Sequence, residues 1–166
     1  MKVLRWVAGL VGVAFAGLLL FAVAVRFADG PVGAFPGGPL ADGPMVHAPV
    51  EDWGFAEAVE LIELQLMEPP RSRTTWILVA EGRAFIPCGF PGIKLWKQWP
   101  HQAIDDGRAL VRIEGRRLPV QLARIEDSGL EQRLGEDMRR KYPSSAGVEL
   151  EVWYFELTPP EGQRGG

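Results

Sequence analysis

Twenty consecutive residues without a charge, Trp6 to Val25 (WVAGLVGVAFAGLLLFAVAV), limit what this chain can become more than any other feature. Coiled as a helix they span about 30 Å, the thickness of a bilayer's hydrocarbon core. Hydrocarbon offers the backbone no hydrogen-bond partners, and a helix satisfies its own. Lys2 and Arg5 precede the run; only Arg26 follows, partly offset by Asp29. The positive-inside rule therefore predicts a single-pass anchor in the inner (cell) membrane, with the N-terminus cytoplasmic and the remainder outside. Trp6 and Phe27 stand where interfacial aromatics belong. A cleaved signal peptide is the alternative, with Ala22-Val23-Ala24 as its A-x-A site, but this apolar run exceeds the roughly 7–15 residues of a signal's apolar region. Ala8, Gly12 and Ala16 form a small-xxx-small face that either pairs helices or reflects ordinary membrane-helix composition.

Residues 28 to 50 carry Pro and Gly too often for a helix or a central strand. Ala-Asp-Gly-Pro occurs there twice, from Ala28 and from Ala41, and each copy suits a turn. The segment reads first as a tether holding a domain off the lipid. The other reading is a strap across the domain or the headgroups, with Phe35 and Leu40 inserted. His47 reads as a solvated side chain. The expected organisation is an anchor over residues 1–27, a Pro/Gly-rich tether over 28–51, a folded domain over 52–160 and a disordered tail over 161–166.

From Asp52 onward the pattern is that of strands. Glu60 to Glu68 places Ile62, Leu64 and Leu66 on one face, a period of two. Thr74 to Ala80 (TTWILVA) reads as one buried strand. Arg108 to Ile113 alternates, and the strand after it carries Leu118, Val120 and Leu122 on one side. Glu81-Gly82 and Glu114-Gly115 both suit tight hairpins with Gly at positive φ. The last strand, Val148 to Leu157, reads as wet on one face at first and covered on both later. Two helices interrupt this pattern. One runs from Trp99-Pro100 to Asp106, stopped by Gly107. In the other, Ser128 and Glu131 form a capping box and Leu130, Leu134 and Met138 stack at i, i+4, i+8. Arg139, Arg140 and Lys141 suit its C-terminal end, before Pro143. The expected fold is α+β: an N-terminal transmembrane helix, then a small antiparallel β-barrel of six strands with two short helices.

Several chemistries are excluded. Without Lys2, Arg5 and Arg26, 15 basic residues face 21 acidic ones, a net charge of −6 that disfavours nucleic acid. One cysteine, Cys88, builds neither a disulfide framework nor a thiolate zinc site, and two histidines make no metal cluster. No metal is expected. No nucleophile elbow, phosphate-binding P-loop or dinucleotide glycine motif is present. Two basic segments remain. Pro69 to Thr75 (PPRSRTT) enters a strand with two guanidiniums and several hydroxyls, enough to hold a phosphate. Cys88 to His101 combines Lys94 and Lys97 with Trp96 and Trp99, on which a flat ligand could stack while a lysine meets its anionic tail. Both segments also have plain structural readings, as a solvated strand approach and as tryptophans covering a barrel end.

The order of elements from Arg71 to Leu157 resembles the flavin- and deazaflavin-binding split β-barrels, in particular their nitroreductase/quinone reductase branch. There a basic Arg/Lys-Ser segment leads into a hairpin. A Gly-Pro-Lys loop then precedes a short helix reading roughly W-Y-H-N-L-x-A-N-P. Trp99-Pro100-His101-Gln102-Ala103-Ile104-Asp105-Asp106-Gly107 occupies that place, with Pro100, Gln102 and Gly107 departing from it. Tyr142-Pro143 and the last strand keep the family's order. The resemblance implies FMN or a deazaflavin in a barrel groove. It makes Arg71, Ser72, Arg73 and Thr74 the phosphate contacts, and Lys94, Lys97, Trp99 and His101 the groove lining. It further implies a homodimer and transfer of hydride to a lipophilic acceptor such as a quinone. A cofactor-free binding or scaffold module for lipid or a protein partner stays equally open.

Overall fold

The computed structural model describes residues 2–93, 98–145, 151–160 and 162, with side chains from Trp6 onward except at Ala8 and Ser145. Helix α1 (Lys2–Val25) is followed by the Pro/Gly segment and a 3₁₀ turn at Gly54–Ala56. The chain then runs β1 (Leu61–Leu66), β2 (Arg71–Trp76), β3 (Leu78–Ala80), β4 (Arg83–Gly89), α2 (Trp99–Asp105), β5 (Arg108–Ile113), β6 (Arg116–Arg124), α3 (Ser128–Lys141) and β7 (Val152–Thr158). All strand pairings are antiparallel, in the order β2-β1-β5-β6-β7-β4-β3.

That order decides the shape. β2 and β3 lie at opposite ends of the sheet, yet only Ile77 separates them in sequence. The two ends must therefore meet, and the sheet curls into a barrel. The single strand expected over Thr74–Ala80 is in fact two, so the described residues form seven strands rather than six. An unbroken apolar run carries no period that could reveal a corner inside it. Ile77 is fully buried and its backbone is held by α3. Its amide donates to the Tyr142 hydroxyl at 3.2 Å. That hydroxyl lies 2.7 Å from the Glu60 carbonyl and 2.8 Å from the Ile77 carbonyl, which also accepts from Lys141 Nζ at 3.0 Å. Trp76 stacks on the Tyr142 ring at 4.5 Å. Burial pushes the Tyr142 hydroxyl up and the Lys141 ammonium down from their ordinary pKa values.

Both Glu-Gly turns form two-residue hairpin loops, between Ala80 and Arg83 and between Ile113 and Arg116. In each the Glu and the Gly have positive φ, the geometry that matches strand twist. Ile62, Leu64 and Leu66 face inward as their period requires, joined by the alternate residues of β5, β6 and β7. A second apolar layer lies outside, where Leu134 and Met138 of α3 cover Leu78, Phe85 and Tyr154. The α3 cap falls one residue earlier than expected: Asp127, not Ser128, accepts the Leu130 amide, at 2.8 Å. Either side chain fits a cap, and the entry angle of the chain selects between them. Residues 148–150 of the expected last strand lie outside the described residues, as does all of the tail except Gly162.

Residues 28–46 are fastened across the outer face of β2, β1, β5 and β6, with Leu40 inserted and Phe35 left exposed. Gly37 and Ser72 exchange backbone hydrogen bonds at 3.0 and 3.4 Å. The Leu40 amide donates to buried Gln65 at 2.6 Å, and Leu40 is 2% exposed, inserted into protein rather than headgroups. The two Ala-Asp-Gly-Pro copies meet: Asp29 of the first accepts the amides of Ala41 and Asp42 of the second, at 2.5 and 3.3 Å. Arg112 of β5 pins the junction, pairing with Asp29 at 2.6 Å and with Glu63 across the strands. Gly37 passes so close to the Gly30 carbonyl that a Cβ there would overlap it.

Helix α1 is 24 residues long and its described apolar side chains face outward until Val25, which is buried. Among the described residues, however, no helix is long and apolar enough to cross a membrane. The helix expected from the sequence is present.

Two outcomes follow from these contacts. Tyr142→Phe leaves the buried Ile77 amide without its partner and should lower unfolding stability by ~1–3 kcal/mol in denaturant titration. The strap should loosen in acid. Burial raises the Asp29 carboxyl pKa, but the Ala41 and Asp42 amides and Arg112 outweigh it and hold it below its ordinary value. Its contribution is therefore present above the ordinary carboxylate range and lost as pH falls below about 4. Hydrogen exchange at Ala41 and Asp42 should accelerate there ahead of exchange in β5; simultaneous loss in both would refute a separate clasp.

Candidate functional site

Register sorts the basic segment before any ligand is considered. Arg71 lies opposite Leu66 and Arg73 opposite Leu64, while Ser72 and Thr74 lie opposite Gln65 and Glu63. Opposed residues of an antiparallel pair share a face. The two arginines therefore project on the barrel side and the two hydroxyls on the strap side. Ser72 is fully buried and donates to the Gly38 carbonyl at 2.6 Å; Thr74 donates to Gly33 at 3.4 Å. The four residues expected to hold one phosphate are split between two faces of β2.

Arg73 is the unusual member. Its Nε is buried and has no hydrogen-bond partner, and no ion pair to Arg73 is present among the described residues. Its guanidinium stands over the Trp99 ring, 5.6 Å from the centroid. Burial pushes its pKa down to about 10, opposed only by neighbouring Cys88. A cation removed from water normally brings a carboxylate with it, because desolvation costs several kcal/mol per ion. Several acids pair with other arginines, Glu63 and Asp29 with Arg112, Glu156 with Arg83 and Asp106 with Arg108, while Glu151 accepts from the Trp153 indole at 2.9 Å. Arg73 thus offers an anion a buried, directional donor backed by an indole.

Helix α2 forms the lid of this barrel end. Pro100 occupies its first turn, where no amide donor is needed, and Trp99 is buried against Phe155 at 5.3 Å. His101 donates from Nε2 to the Pro91 carbonyl at 2.9 Å and meets the Trp153 ring edge-on at 5.2 Å. Trp153 lies opposite Cys88 of β4, and Arg124 of β6 stands over its ring, 3.8 Å from the centroid. This barrel end therefore holds two arginine–tryptophan stacks, with His101 against Trp153 and Cys88 opposite it. Phe90, at the exit of β4, takes a positive φ of 59° and is exposed beside it. Such backbone is costly for a bulky residue, and its conformation turns the 90–93 loop toward His101.

Of the expected site residues, the structure gathers Arg73, Trp99 and His101 at the mouth. Arg71 follows on the same face toward the start of β2, while Ser72 and Thr74 are taken up by the strap. Lys94 and Lys97 lie outside the described residues. Arg124 and Trp153 were not singled out from the sequence as site residues. A signal existed: extending the inward period Leu118, Val120, Leu122 by one step reaches Arg124.

No family model matches the chain, and no curated protein does. Among solved structures, it is similar to a candidate pyridoxamine 5′-phosphate oxidase from Listeria innocua. The two share 12% identity, the match covers 61% of this chain and 85% of that one, and the TM-score is 0.45. A second such protein, from Corynebacterium glutamicum, shares 13% identity over 64% of this chain and 80% of its own, with a TM-score of 0.38.

The uncompensated charge has a measurable sign. Arg73→Met keeps the side chain's bulk and removes the desolvation cost, so thermal unfolding should shift upward, by on the order of 1–2 kcal/mol. A lower midpoint would show that the guanidinium already has a stabilising partner.

Proposed function

We propose that this protein is a membrane-tethered split-barrel oxidoreductase whose barrel mouth holds FMN or a deazaflavin. The acceptor we assign is lipophilic, of the quinone type. One observation carries the reading: Arg73, half-buried, with an unpartnered buried Nε and no ion pair among the described residues, lies over an indole, Trp99, at the barrel end that α2 covers. The donor set fits such a group. Arg73 would take its anionic tail, while Trp99 and Trp153 supply apolar walls for its ring. His101, held by Pro91, borders the ring's edge. Bound there, the cofactor supplies hydride transfer, and the chain supplies orientation and exclusion of water. Absence of a nucleophile motif agrees with this division of labour. Ser72 and Thr74 are left out of the phosphate site, since the strap uses their hydroxyls.

The apolar surface of α1 and its continuity with the barrel favour a lipid-delivered acceptor. In this reading α1 sits in the inner membrane, the charge bias places the barrel on the outer side, and the resemblance adds a homodimer. A second reading, a cofactor-free module that binds lipid or a protein partner, is favoured by the strap's hold on two of the four residues expected to meet the phosphate.

Fluorescence titration separates the two. The full chain should bind FMN or a deazaflavin nucleotide, and Arg73→Met should weaken binding at least tenfold, ~1.4 kcal/mol. A colourless protein that binds neither would end the redox reading. A reporter fused to the C-terminus reports the side of the membrane, and a cytoplasmic signal would overturn the outward orientation.

A further inference from the structure

The end of α1 is built into the barrel rather than hung from it. Past Val25 three turn hydrogen bonds continue the helix, from the amides of Arg26, Phe27 and Ala28 to the carbonyls of Val23, Ala24 and Val25, at 3.1, 3.0 and 3.1 Å. Gly38 then donates to the Ala28 carbonyl at 3.1 Å, and a Cβ on Gly38 would press on the Arg26 carbonyl as well. Its neighbour Gly37 pairs with Ser72, next to Arg71. These links bring Arg26, at the helix exit, beside Arg71, on the barrel rim.

Neither arginine has an ion pair among the described residues, whereas Arg83 and Arg108 each have one and Arg112 has two. Burial and then the charge of Arg26 depress the Arg71 pKa. The surroundings are apolar on the helix side. Phe27 is 85% exposed, and Phe35, 46% exposed, leans edge-on against Phe21 of the helix at 5.3 Å. Apolar helix, aromatic collar and paired cations thus follow one another along the axis of α1. A lipid monolayer presents its complement in the same order, as acyl chain, interface and phosphate.

We propose that this junction is a headgroup site for an anionic phospholipid, the phosphate held between Arg26 and Arg71. It rests on the membrane-tether part of the proposed function and is independent of the flavin. The occupant is a lipid rather than a free anion because Arg26 directly follows the exposed apolar run of α1, which a free phosphate would leave uncovered.

The test uses the full chain reconstituted into phosphatidylcholine vesicles containing phosphatidylglycerol. After detergent extraction, the lipids retained on the protein are counted by mass spectrometry. Wild type should retain phosphatidylglycerol in preference to phosphatidylcholine. Arg26→Gln with Arg71→Gln should cut that preference by roughly fivefold per arginine, and the Arg26→Lys, Arg71→Lys pair should restore most of it. Near-UV circular dichroism checks that the variants keep the Trp76–Tyr142 stack. Equal retention in wild type and the Gln pair would overturn the headgroup site and leave the tether standing. Displacement of the lipid by inorganic phosphate alone would mark a free-anion site and overturn the lipid assignment. Failure of the chain to float with vesicles of either composition would sink the tether reading itself, and this site with it.

Discussion

The Tyr142 hydroxyl holds the corner at Ile77, and the rest of the molecule depends on that corner. A seven-strand sheet left open would present β2 and β3 as edges, with unpaired amides inviting other chains. Passing from one end of the sheet to the other in a single residue brings those edges together, and the exposed backbone at the corner must be satisfied within the protein. Tyr142 does this with one oxygen placed between the Ile77 amide and two carbonyls, and Lys141 takes up the remaining acceptor capacity of Ile77. The helix that carries both residues is located by its apolar stripe. Closure is therefore a long-range event, paid for by burial of Leu134 and Met138 some distance away.

Closure also gives β2 two very different faces. Inward, Arg73 is drawn over Trp99 and loses water without gaining an acid. Outward, Ser72 and Thr74 meet the Pro/Gly segment, whose backbone supplies the acceptors they need. The acids of this net-acidic chain are largely on the outside or paired with other arginines. The mouth is left as a locally cationic, aromatic spot on a negatively charged protein. Such a spot discriminates by charge and shape together, since an anion without a flat body gains only the guanidinium and a flat neutral ligand gains only the indoles.

Much of the fold was legible in the sequence, and particular residues show why. Ile62, Leu64 and Leu66 fixed the inner face of β1 because a strand's side chains alternate whatever surrounds it. The two Glu-Gly turns fixed their hairpins because positive φ at both positions is a local property of the dipeptide. Leu130, Leu134 and Met138 fixed the buried side of α3 in the same manner, and the uncharged run fixed α1 as a helix. Each of these rests on chemistry contained in a handful of neighbouring residues.

The site was legible only in part. Arg73, Trp99 and His101 could be nominated by type. That Ser72 and Thr74 turn away from Arg71 and Arg73 is implicit in alternation, but which pair faces the barrel is set by pairing with β1. Arg124 and Trp153 join the mouth through register between strands far apart in the chain. The strap's path and the meeting of its two Ala-Asp-Gly-Pro copies at Arg112 depend on a surface that exists only after the sheet has curled. The corner at Ile77 lies within an apolar run with no local mark. Sequence alone determined what is local: periods, turns, a charge-free helix and the residue types available for a site. Tertiary structure alone decided which of those residues meet, because closing a barrel couples positions through space that no short window of sequence connects.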